Sequence, residues 1–497
     1  MDFQHNKFDA PCASIEEQSS VTSHTIQVHG QTLAYKSTAG TLTIRDEDGK
    51  AHASLFYVGY TLDNPKSGPD HRPVTFLYNG GPSVPSIGLH LGSFGPIRLS
   101  ATSPDGRDEV FVLGPNEETL LDKTDLVFID AIGTGYSRAL GNTDPKTFWG
   151  VDQDADAFAR AINRYIVLNG RANSPKFLFG ISYGATRSAA VAYNLRRRSI
   201  NLKGVVLLSS WLNPAASEPG FDLSYAQYVP SYAAAAWFHN KVSRKQADQA
   251  AFLDEVRGWA AGPYVAALFK GDSIAQREFE EIAEQMSAYI GLSVDYIKNA
   301  KLRVKREPFR RELLRDRGRT IGYYDSRCLG QEEDAAGESP SYDASTSVAS
   351  AAFVGLAEKY ITGQLKYETG LEYRFSDYVK IWQAWDFRHT IINPDHHDLM
   401  TQCGRKANVA PVYRDLAQTM RENPHMKVLS LNGLYDLCTP FLATEYDLNH
   451  MFLDPPIKAN LSVQHYQWGH TMLWADSTAL KQMRADLGRF YEMAAPQ

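Results

Sequence analysis

Cysteine is scarce in this chain: Cys12, Cys328, Cys403 and Cys438 are the only 4 among 497 residues, and they lie far apart. That excludes a disulfide framework and predicts a reducing, cytoplasmic setting. No stretch approaches the roughly 18 continuous apolar residues of a membrane-spanning helix. The first residues, Met1 to Ala10, lack the basic and apolar halves of a secretory signal. Positive charge is not in excess either. Lys and Arg number 51 against 57 Asp and Glu, a net charge of −6, so neither nucleic acid nor a membrane surface is an expected partner. The densest basic stretch, Lys301 to Arg319, is interleaved with Glu307, Glu312 and Asp316 and reads as a solvated helix face. Metal-ligand spacing is missing: His396-His397 comes nearest, and adjacent side chains diverge on most backbones. Neither metal nor cofactor is expected, and no internal repeat is evident.

What the chain does have is apolar sequence in short runs. Apolar residues make up 43% and charged residues 22%, enough to build a large core in one globular chain. Residues 1–22 are polar and are expected to form a flexible N-terminus. From His24 to Leu33, Thr41 to Ile44 and Ala53 to Val58, polar and apolar residues alternate between glycine-containing turns, which predicts antiparallel strands at one edge of a sheet. Val74–Tyr78, Asp125–Ile129 and Gly204–Leu208 are continuous apolar runs, as parallel strands buried on both faces require. Helical patterns such as Asp154 to Val167 lie between them. The prediction is an α/β fold with a mixed, mostly parallel sheet and helices on both faces.

After Asn213-Pro214 the pattern turns helical to about residue 375; Phe279, Ile282, Met286, Tyr289 and Ile290 mark one apolar face. Residues 214–375 are therefore expected to be a helical cap inserted between core segments 23–213 and 376–497. Glu332 to Ser347, acidic and serine-rich with Gly337 and Pro340, reads as a loop within it.

Gly-Ile-Ser-Tyr-Gly at 180–184 follows the apolar run Lys176–Phe179 and precedes a helical pattern. Strand, glycine-flanked turn, helix is the setting of a nucleophile elbow, which lifts a serine clear of the sheet at a helix N-terminus. A lone Gly-x-Ser-x-Gly arises often by chance. Here Asp436 follows a second apolar run, Lys427–Leu431, and His470 a third, Asn460–Val463. The order Ser182, Asp436, His470 is that of the α/β-hydrolases and predicts nucleophile, orienting acid and general base.

Leu77-Tyr-Asn-Gly-Gly-Pro, Val127 to Ser137, and Val229 to Phe238, together with the elbow, Asn432 to Asp436 and Gly469-His470, resemble the serine carboxypeptidase family, and most closely its bacterial, intracellular-type members. The likeness runs from about residue 55 to the C-terminus. It implies an α/β-hydrolase fold, the same three catalytic residues, and an oxyanion hole from the backbone N–H groups of Gly81 and Tyr183. Asn79, Gly80 and Ile181 would face the substrate. Two acids that share a proton and bind a peptide's C-terminal carboxylate in that family are replaced here by Ile181 and Ser93. Ser83 and Pro85 alter the turn after Gly81.

The expected activity is hydrolysis of an amide (peptide) or ester bond of a small-molecule or peptide substrate through an acyl-enzyme on Ser182, without the family's carboxylate recognition. An acyltransferase or lyase on the same fold is the alternative, and a non-catalytic binding protein a third reading. Trp468, Tyr136, Trp237 and Phe238 are candidate pocket walls.

Overall fold

A strand that is apolar at every position must be covered on both sides, and this requirement organises the molecule. The computed structural model describes the chain apart from residues 1–12, 67, 102–110, 218–219, 244–247, 335, 347–349, 376–377, 391–410, 472–476 and 496–497. One mixed sheet runs through it, built from β1 (Ser19–Val28), β2 (Gln31–Arg45), β3 (Ala51–Leu62), β4 (Val74–Tyr78), β5 (Asp125–Ile129), β6 (Lys176–Ile181), β7 (Gly204–Leu208), β8 (Lys427–Gly433) and β9 (Leu461–Tyr466). Their order across the sheet is β1-β2-β3-β5-β4-β6-β7-β8-β9, and the short strand Arg138–Ala139 pairs with the start of β3. Pairing is antiparallel from β1 through β3 to β5. It is parallel from β5 onward. The alternating runs thus form the antiparallel edge and the continuous runs the buried centre: every residue of β4, β5, β6 and β7 is buried.

Successive side chains of a strand point to opposite faces, so the centre feeds two cores. On one face Phe76, Val127, Leu178 and Val205 pack under helices Val151–Leu168 and Tyr183–Arg197 through Phe158, Ile162, Val191 and Leu195. On the other, Leu77, Phe128, Phe179 and Val206 meet Leu480, Met483 and Leu487 of the helix Ser477–Ala494. The fold is an α/β-hydrolase fold.

A third apolar cluster belongs to the helical segment. Helices Asp222–Phe238, Gln249–Trp259 and Gln276–Ile290 bury Val229, Phe252, Val256, Ile282, Met286 and Ile290 together. The same cluster includes Leu434, Tyr435, Leu437 and Phe441, so these helices rest on the chain just past β8. Residues from Phe353 to Tyr373 instead join the cluster under the sheet.

Two expectations need correction. Ser19 to Thr22, read as part of a flexible N-terminus, pair with Gly40 to Ser37 in β1–β2. Their backbone groups are satisfied by the neighbouring strand while the side chains stay largely in water, so hydropathy carries no trace of them. The basic stretch is a solvated face only in part: Lys301, Lys305, Arg317 and Arg319 are exposed, but Arg310 is 5% exposed and Arg311 2%. Arg310 is held by Glu307, Asp343 and the Ile321 carbonyl, and Arg311 by the Asp334 carbonyl. The loop residues Asp334 and Asp343, distant in sequence, supply the partners that let these charges be buried.

Candidate active site

Parallel strands bring their C-terminal ends to one edge, and the residues singled out in the sequence gather there. Ser182 joins β6 to the helix Tyr183–Arg197 at φ 60° and ψ −129°, a conformation a non-glycine residue holds only when its surroundings impose it. The imposition is visible at the flanking glycines. A Cβ on Gly180 would lie 1.9 Å from the Gly184 carbonyl oxygen, and one on Gly184 would lie 2.8 Å from that of Tyr78. Strand, elbow and helix pass too close for any side chain at either position.

The next turn along this edge follows β4, whose Tyr78 is paired with Gly180. A Cβ on Gly80 would meet the Tyr183 nitrogen at 2.5 Å, so the Asn79–Gly81 turn lies directly against the elbow. Gly81 holds φ 109°. Three side chains that sequence reasoning missed brace this turn. Arg187, fully buried in the elbow helix, binds the carbonyls of Asn79 and, at 3.1 Å, of Pro82. Its charge is balanced by Asp154, with Nε to Oδ2 at 2.7 Å. Asp130, just past β5, accepts hydrogen bonds from Ser86 at the far end of the turn. Burial pushes the Asp130 carboxyl up to about 6, with the Ser86 hydrogen bonds acting against it. The Asn79 side chain turns inward, its Oδ1 accepting the Leu89 N–H at 2.9 Å.

Past β8 and β9 lie Asp436 and His470. Asp436 is completely buried. Its Oδ1 accepts the N–H groups of Cys438 at 2.7 Å and Thr439 at 3.0 Å, and its Oδ2 takes the Thr439 hydroxyl at 2.7 Å and His470 Nδ1 at 2.7 Å. His470 is 2% exposed. Burial works against a charged imidazole, but the Asp436 carboxylate outweighs it and raises the His470 proton affinity well above the ordinary value. Backbone bonds tie the edge together. The Ser182 N–H donates to the Leu208 carbonyl at 2.9 Å; Ser209, which follows Leu208, donates its hydroxyl to the His470 carbonyl at 2.9 Å, and its own carbonyl lies 3.1 Å from the Thr439 hydroxyl. Thr439, which the sequence did not single out, therefore touches both sides of the Asp436–His470 pair.

Ile181 and Ser93 stand where the resemblance implies two acids. Ile181 is 4% exposed and packs with Leu91 and Phe94 under the sheet. Ser93 is equally buried and donates its hydroxyl to the Leu89 carbonyl. Tyr136 is a core residue, edge-on to Phe56 and Tyr373. Trp237 packs at a tilt against Phe252 among the helices of the inserted segment, and Trp468 lies under the Arg327 guanidinium. His396 and His397 fall outside the described residues. Among the described residues no group of His, Cys, Asp and Glu is arranged to hold a metal ion, Cys328 and Cys438 are free thiols, and no helix is long and apolar enough to cross a membrane.

A family model described as serine carboxypeptidase matches residues 28–307. Among solved structures, Kex1(delta)p, a prohormone-processing carboxypeptidase from Saccharomyces cerevisiae, is similar over 92% of this chain and 91% of its own, at 15% identity and a TM-score of 0.53. A proline iminopeptidase from Mycobacterium smegmatis is similar at 13% identity, with 92% and 98% covered and a TM-score of 0.37. A soluble variant of monoglyceride lipase from Saccharomyces cerevisiae gives 12%, 92% and 95%, and 0.38. No curated protein matches the chain in sequence. The family match takes in both the elbow at Ser182 and the Asn79–Pro82 turn, and by it this chain belongs to the serine carboxypeptidase family.

Proposed function

We propose that this protein is a serine acyl hydrolase in which Ser182 attacks an amide or ester carbonyl, His470 is the general base and then the general acid, and Asp436 orients it. The observation that carries the reading is the 2.7 Å contact between His470 Nδ1 and the completely buried Asp436, on the same sheet edge as a serine held at positive φ. A carboxylate on Nδ1 fixes the tautomer that leaves Nε2 as a base and stabilises the imidazolium once it has taken the serine proton. The N–H groups of Gly81 and Tyr183, in two turns packed against one another, would receive the oxyanion; one such donor is worth about 3 kcal/mol in the transition state. Water then resolves the acyl-enzyme with His470 acting in the reverse sense.

Asn79 and Gly80 would border the reacting carbonyl through their backbone, and the nearly buried Ile181 would leave the surface behind them apolar, with no charged group. A free carboxylate set against that surface would lack a partner, so the favoured substrate is an amide or ester whose leaving group is uncharged there. The helices between Asp222 and Glu312, and not the whole of 214–375, act in this reading as a cap that limits water at Ser182, since Phe353 to Tyr373 pack into the core under the sheet. A cytoplasmic setting belongs to the same proposal and rests on the few, widely spaced cysteines.

The test is turnover of chromogenic acyl esters and N-blocked dipeptide amides by wild type and by S182A, with products identified in the presence and absence of an acceptor alcohol. Release of free acid, falling by about a thousandfold or more in S182A, supports the reading. Equal turnover by S182A contradicts it, and a transferred acyl group in place of free acid makes the protein an acyltransferase.

A further inference from the structure

Arg306 opens the helix Arg306–Glu312 of the inserted segment. Its Nη1 donates to the Tyr228 hydroxyl at 3.0 Å, and its guanidinium lies 4.5 Å from the centre of the Tyr323 ring. Tyr323 is anchored to the turn that carries Asp436: its carbonyl accepts the Leu437 N–H at 3.2 Å. The next residue, Tyr324, accepts the His470 N–H at 2.6 Å and sets its ring 5.2 Å from the imidazole. One aromatic ring therefore separates a guanidinium from the residues that flank His470.

Among the described residues no carboxylate covers the guanidinium's outer edge. Glu307 takes Nε at 2.8 Å through Oε1, and its Oε2 is occupied by Arg310. Asp343 serves Arg310, the Tyr323 N–H and the Ser345 hydroxyl. The Nη1 contact is with a neutral phenol. A planar fork presented in this way is matched to a carboxylate, and partial burial strengthens the contact.

We propose that Arg306 anchors an anion subsite for the acyl half of the substrate, selecting acyl groups that carry a second carboxylate. The inference rests on Ser182, His470 and Asp436 being the catalytic centre. The assignment to the acyl half follows from the layers. Ile181 and Ser93, where the resemblance places recognition of the leaving group's carboxylate, belong to the cluster under the sheet or are buried beside it. Tyr228, which Arg306 contacts, packs against the other cluster, the one that holds Phe309 and Leu437 above the Asp436 turn.

The experiment compares 4-nitrophenyl esters of N-acetyl-L-glutamate and N-acetyl-L-glutamine, which differ by one charge at equal size. A second pair of esters shares an acetyl group and differs in the leaving group, 4-hydroxybenzoate against 4-hydroxybenzamide. Wild type is expected to favour the glutamate ester by about tenfold or more in kcat/KM, mainly through KM, with no preference for the carboxylate-bearing leaving group in the second pair. Arg306→Gln is expected to abolish that preference and Arg306→Lys to retain part of it. Each preference is a ratio measured on one preparation, so a partly unfolded variant does not change it. Equal turnover of the first pair by wild type, an unchanged ratio in Arg306→Gln, or a preference confined to the leaving-group pair overturns the proposal. Absence of turnover of all four esters, with no labelling by a fluorophosphonate, overturns the hydrolase reading itself.

Discussion

Asp130 Oδ1 accepts both the N–H and the hydroxyl of Ser86, each at 2.7 Å, and so joins the end of β5 to the far end of the turn that holds Gly81. The carboxylate is itself gripped. Tyr373 donates to Oδ2 at 3.2 Å, and a Cβ on Gly135 would lie 1.8 Å from the same oxygen. Gly135 is required because the chain must pass Asp130 with no side chain between.

Replacing Asp130 with Ala leaves two buried donors of Ser86 without an acceptor. The expected loss is about 2–5 kcal/mol of stability, read by urea unfolding. Because the freed turn carries Gly81, kcat is expected to fall by about tenfold or more with a smaller change in KM. A variant that loses stability but keeps full kcat would show that the turn holds its shape without this anchor.

Thr439 gives a more local prediction. Thr439→Val keeps the shape and removes the hydroxyl that bonds Asp436 Oδ2 and touches His470 Nδ1 at 3.1 Å. Asp436 then loses one of its charge-assisted partners, and His470 is oriented less firmly. We expect kcat to drop by about tenfold, a displaced acidic limb in the pH profile, and a nearly unchanged KM. An unchanged pH profile would make Thr439 a packing residue only.

His389 predicts a pH dependence away from the site. Its Nδ1 meets Asp152 Oδ1 at 2.6 Å and its Nε2 meets Asp415 Oδ1 at 3.1 Å, joining the helices Val151–Leu168 and Tyr413–Glu422. Burial works against protonation, but the two carboxylates push the imidazole up to about 9 from its ordinary 6.5. A group whose folded pKa is raised contributes stability that is complete below its unfolded pKa and fades as pH rises through the folded one. His389→Gln should therefore cost about 1–3 kcal/mol at pH 6, with the difference from wild type shrinking steadily toward pH 10 in urea titrations. A constant difference across that range contradicts the assignment of charge.

The central strands and the places of Ser182, Asp436 and His470 beyond β6, β8 and β9 were legible because each depends on its own few residues. A run without polar interruption has to be buried on both faces, and a glycine pair around a serine records a close approach that no other residue permits. The bracing was not legible. Arg187 with Asp154, and Asp130 with Ser86, become partners only when segments dozens of residues apart are brought together, and each residue alone resembles an ordinary surface charge. The same holds for Arg310 and Arg311, whose burial is decided by Asp343 and Asp334 in a loop with no pattern of its own. Ser19 to Thr22 were missed for the opposite reason: an edge strand is held by its backbone, and its side chains do not have to be apolar.

The most direct measurement is labelling of the purified protein by a fluorophosphonate, beside Ser182→Ala and His470→Ala, with the modified residue located by mass spectrometry. Stoichiometric modification of Ser182 in wild type, absent from both variants, is the result this account predicts. A folded wild-type protein that takes no label, or takes it at another serine, would contradict the assignment of Ser182 as a nucleophile activated by His470.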